Sequence, residues 1–114
     1  MSTQTEELEL SMDQAKRSIA AMNELQRLTK NKDFEEVILK GYFEKEASRL
    51  VLLRAEPAMA DVESREIIDN QITAIGFLRQ HFTTIMQFGR MAEKALKNDE
   101  ETQAELLAEE LEEA

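Results

Sequence analysis

The sequence predicts an all-α protein: a short N-terminal helix packed on a long antiparallel helical hairpin, followed by an acidic tail that is helical or frayed. Three observations predict it. Apolar residues recur at intervals of three and four along most of the chain. The alternation and the Asn-Gly or Asp-Gly turns that mark strands and β-hairpins are absent. Three glycines and one proline among 114 residues leave material for few loops. This length suits one helical domain with a single core. Without cysteine, disulfides and thiolate metal sites are excluded, so packing alone has to hold the chain together.

Residues 1–10 read as a frayed end. The first helix is expected over 12–29, with Ser11 as its cap and Gln14 reaching back to it. Met12, Ala15, Ile19, Met22 and Leu25 form its apolar stripe, and Lys30 and Lys32 suit the negative end of its dipole.

The second helix is expected over 34–55. Asp33 is its cap with Glu36 as reciprocal partner, and it stops before Pro57. Wound as an α-helix it is apolar on two sides, with Phe34, Ile38 and Tyr42 on one and Phe43, Ala47, Leu50 and Leu53 on the other. A helix of that kind usually lies between neighbours.

PAMADVES, residues 57–64, is the loop, and Asp61 or Ser64 can cap the third helix, expected over 62–97. Positions 68, 71, 75, 78, 82, 85, 89, 92 and 96 alternate by three and four and are apolar except at Gln71 and Gly89. That is a coiled-coil-like seam. The helical domain then spans 11–98 and the tail 99–114. The tail, DEETQAELLAEELEEA, either extends the third helix as one rod or restarts with Asp99 as a cap.

The net charge of −10 is concentrated in that tail. Asp99, Glu100, Glu101, Glu105, Glu109, Glu110, Glu112 and Glu113 meet no base there, and residues 1–98 carry only −2. Bases scattered through the rest do not form the stripe that nucleic acid requires. No apolar run reaches the ~18 residues needed to span a bilayer. The start, MSTQTEELEL, lacks the basic flank and apolar stretch of a secretory signal, so a cytoplasmic protein is expected.

Single residues support packing rather than chemistry. Gly41, Gly76 and Gly89 fall inside helices without a phosphate-cradling loop, and are expected to let helices approach closely, Gly41 against Phe82 or Met86. His81 is the only histidine and has no His, Cys or HExxH companion, so it is expected on the flank of the third helix. Six methionines at helical spacing are expected to fill the core. Arg49 and Arg79 are the bases nearest apolar positions, with Glu46 or Asp69 as structural ion-pair partners. No nucleophile, base and oxyanion-donor set is evident. The expectation is a protein that is not an enzyme and has no cofactor, no metal and no small-molecule substrate.

The run DFEEVILKGYFEKEASRLVLLRAEP, with GYFEKEASRL its most distinctive block, is followed by IDNQITAIGFLRQHFTTIMQFGRMAEKAL. Across about residues 20–97 this resembles small all-helical proteins encoded among the structural genes of tailed bacteriophages. The resemblance implies a non-enzymatic role in the particle or its assembly, as repeated copies, in the virion or the host cytoplasm. The residues point the same way: a second helix apolar on two sides predicts a homo-oligomer or a place in a larger protein assembly, with Phe34, Tyr42, Arg49, Phe77 and Phe88 as partner contacts. Neither a membrane nor direct contact with nucleic acid is expected. The alternative is a small regulator whose acidic tail occupies a basic site on a host protein.

Overall fold

A computed structural model describes residues 2–113 of the chain. Its elements are α1 (Ser2–Thr29), a single turn α2 (Lys32–Phe34), a π-helix (Glu35–Glu46), α3 (Ala47–Arg54), a 3₁₀ turn (Pro57–Met59) and α4 (Val62–Glu113). No strand occurs among the described residues. The all-α class and the helical hairpin are as the sequence predicts. The chain divides into two compact units: residues 1–25 with 85–114, and residues 26–84.

In the first unit α1 lies antiparallel to the C-terminal part of α4. The Ser11 hydroxyl donates to Asp99 Oδ2 at 2.7 Å, Gly89 lies against Met22, and Thr5 shares a groove with Leu106 and Glu110. Met12, Ala15, Met22, Leu25 and Ala92 are buried.

α1 begins at Ser2, ten residues earlier than expected, and the frayed-end reading of residues 1–10 is corrected for those described. The reason is a continuing seam. Half-buried Thr5 and Leu8 precede Met12 at spacings of three and four, which prolongs the heptad rhythm to the start of the helix. Opposite them, half-buried Leu96, Asp99, Gln103 and Leu106 prolong the seam of α4 into the acidic tail. The tail therefore extends the third helix as one rod. Ser11 and Asp99 both lie inside helices and bond to each other instead of capping ends.

In the second unit the segment 32–54 returns along the first part of α4. The cap of this segment is Asn31, not Asp33: its side chain accepts the Phe34 N–H at 3.0 Å. Asp61 caps α4 as expected, accepting the Ser64 N–H at 2.9 Å. Hydrogen bonds from the Ser64 hydroxyl and then its N–H hold the Asp61 carboxyl below the usual carboxylate range.

The core of this unit is Leu50, Ile68 and Ile75, overlaid by Tyr42, Phe43, Ala47, Leu53, Met59 and Ile72. Leu50 is 1% exposed. Phe82 packs on two rings of the facing segment, Phe34 at 6.0 Å and Phe43 at 5.8 Å between centroids.

Those two contacts account for the π-helix and correct the two-sided reading of the second helix. Phe34 and Phe43 are nine residues apart. At 3.6 residues per turn that separation puts them on opposite sides. With i→i+5 bonding the turn widens to about 4.4 residues, and nine residues make about two turns. Phe34, Ile38, Phe43 and Ala47, spaced by four, five and four, then lie on one face, and all four are half-buried. The wider helix gathers two apolar faces into one.

Candidate interaction surfaces

The three glycines behave differently. Gly89 makes the close helix–helix approach expected of it: a Cβ there would lie 2.8 Å from Met22 Cγ and overlap the rest of that side chain. Gly76 faces open space, with nothing within 4 Å of an added Cβ, so it is no helix contact. Gly41 faces neither Phe82 nor Met86. Its Cβ would fall 2.8 Å from the Glu36 carbonyl oxygen, in the helix to which it belongs. The wide turn, not a neighbouring helix, constrains this position.

The residues expected to meet partners divide in two. Phe34 and Tyr42 are half-buried within their own unit, and Tyr42 packs on Phe43 at 6.0 Å. Phe77 and Phe88 are 67% and 57% exposed. Arg49 is exposed and donates to Glu46 through Nε, to Oε1, and through Nη2, 3.0 Å from Oε2. That hydrogen bond lowers the Glu46 carboxyl below its ordinary range. Asp69 is taken by Arg54 at 2.7 Å rather than by Arg79. Both pairs are open to solvent, so they orient side chains more than they stabilise the fold.

His81 is exposed on α4, 6.3 Å from the Phe82 ring, as the flank position implies. Of the methionines, Met12 and Met22 are buried, Met59 and Met86 half-buried and Met91 exposed, while Met1 lies outside the described residues. No group of three His, Cys, Asp or Glu side chains able to hold a metal occurs among the described residues. No described helix is long and apolar enough to cross a membrane.

Two surfaces were missed from the sequence. On the segment 32–54, Val37, Val51 and Leu52 are 57–70% exposed. In the first unit a shallow, open depression of about 290 Å³ lies between α1 and α4, lined mainly by Ala15, Ser18, Ala92 and Ala95 beside Phe88 and Met91. Met91 is 64% exposed. Small residues at 11, 15 and 18 and at 92 and 95 were the available signal, because helical spacing aligns them along one edge of each seam. The tail acids lie on the solvent side of α4, all exposed where described except half-buried Asp99.

No family model matches the chain, and comparison with curated proteins and with solved structures gave no match either. The molecule presents an all-helical fold with large apolar side chains exposed on its helices and an acidic helical end.

Proposed function

We propose that this chain is a non-enzymatic helical structural or assembly protein that acts as repeated copies. The setting is the one its GYFEKEASRL block resembles, the virion or assembly pathway of a tailed phage. The observation that supports this reading is the set of large apolar side chains left open on α4, with Phe77, Phe88 and Met91 each more than half exposed. Exposed aromatic and methionine side chains lose that exposure in an interface and are enriched there.

Phe34 and Tyr42 are already partly covered by their own chain. The reading rests on the remaining open residues. Light scattering over a hundredfold range of concentration tests it. A defined oligomer larger than the 13.1 kDa chain is expected. A monomer throughout, pulled down instead by a basic partner in a salt-sensitive manner, would favour the regulator that uses its acidic tail.

A further inference from the structure

We infer that Glu35, Lys40 and Glu36 form an ionic lock on the winding of the segment 35–46, a device that holds Phe43 against Phe82 and loosens when the charges are screened. Lys40 Nζ lies 3.2 Å from Glu36 Oε1 and 3.5 Å from Glu35 Oε1, so one ammonium bridges the residues four and five positions before it. All three side chains are half-exposed, and all belong to the π-helix Glu35–Glu46. Both carboxylates raise the Lys40 ammonium above its ordinary range, the Glu36 hydrogen bond most.

Spacing ties the bridge to the winding. In an α-helix each residue turns about 100°, so residues five apart point about 140° away from each other. With i→i+5 bonding each residue turns about 82°. The residues four and five back then flank the lysine, about 33° to one side and about 49° to the other. The Lys40–Glu36 contact suits either winding, whereas the Lys40–Glu35 contact belongs to the wide one.

Exposed ion pairs contribute little to overall stability. This one acts on a choice between two windings of the same folded chain, where even a small bias shifts the populations. Release has a defined consequence. Rewinding to 3.6 residues per turn adds about 18° per residue and carries Phe43 about 90° round the axis relative to Ile38. Phe43 then leaves Phe82, which it meets at 5.8 Å between centroids in the wide winding. Gly41, the next residue after Lys40, serves the same winding from the backbone side, since a Cβ there would press on the Glu36 carbonyl.

A double-mutant cycle on the full chain tests the lock. Glu35→Gln and Lys40→Gln are each expected to speed amide exchange at residues 40–46 about two- to fivefold, and the pair together no more than Lys40→Gln alone. Raising the salt from 10 to 300 mM should speed wild-type exchange there by a similar factor and leave Lys40→Gln unmoved. Exchange at the Leu50, Ile68 and Ile75 core should stay constant throughout. Additive effects of the two substitutions, as expected where positions 35 and 40 do not meet, overturn the lock. Salt acting equally on the wild type and on Lys40→Gln overturns it as well. Equal quickening at the core would report loosening of the whole unit and would also count against it.

Discussion

At Gly89 a methyl group has nowhere to go, because Met22, itself 4% exposed, already occupies the space. Gly89→Ala is expected to cost about 1–3 kcal/mol, the usual penalty for overfilling a packed site. Gly76 is its control. It too lies inside α4, but an added Cβ would meet nothing within 4 Å, and its φ is not positive. Gly76→Ala should therefore stabilise by about 0.5–1 kcal/mol, the gain from restricting the unfolded chain and improving helix propensity. Denaturant melts of the two variants check both signs, and equal shifts would refute the assignment of the close contact to Gly89. In the sequence Gly89 falls on the three-and-four seam and Gly76 does not, although nothing there shows that Met22 is the neighbour. What separates them is which face of α4 each occupies and what lies across from it.

The segment around Gly41 poses the same question for a whole element. Its apolar residues recur at about 4.4, and a helix wound at 3.6 would turn Phe43 and Ala47 away from Phe82. The wide winding costs hydrogen-bond geometry, and burial of two rings against Phe82 offsets that cost. A side chain at position 41 would press on the Glu36 carbonyl at 2.8 Å. Gly41→Ala should consequently lower stability even though alanine is the better helix former by about 1 kcal/mol. The near-ultraviolet signal of Tyr42 should change with it as the segment rewinds. A higher melting temperature with an unaltered aromatic signal would show that the π-helix does not depend on this glycine. The existence and the end of the second helix were legible in the sequence, from the apolar run and Pro57, whereas its start was misplaced because Asn31 and not Asp33 is the cap. Its winding was not legible, because a spacing of four or five reads as two faces when 3.6 is assumed. The start of α1 was legible in principle. Thr5 and Leu8 continue the heptad, but the acids between them give the stretch the look of a frayed end.

For the molecule as a whole, charge is the largest unevenness. Eleven acids without a base fall in residues 1–10 and 99–114, where α1 and the end of α4 run side by side, and the seam between them includes the polar pair Ser11 and Asp99. Packing through Leu8 and Leu106 works there against repulsion that salt screens. Raising the salt from 10 to 300 mM should slow amide exchange in residues 3–10 and 99–113, with little change around the Leu50, Ile68 and Ile75 core. Uniform slowing, or none, would mean that repulsion does not limit the acidic end.

By itself the sequence determined the helical class, the seam of α4 from Ile68 to Leu96, the loop at Pro57 and the site of the charge. Each of these is set by local spacing and by residue type. Only the tertiary structure decided which side chain Gly89 meets, how the second helix winds, and which aromatic rings stay open. Those outcomes depend on what faces a residue across a helix pair, and neither periodicity nor composition along one chain contains that partner.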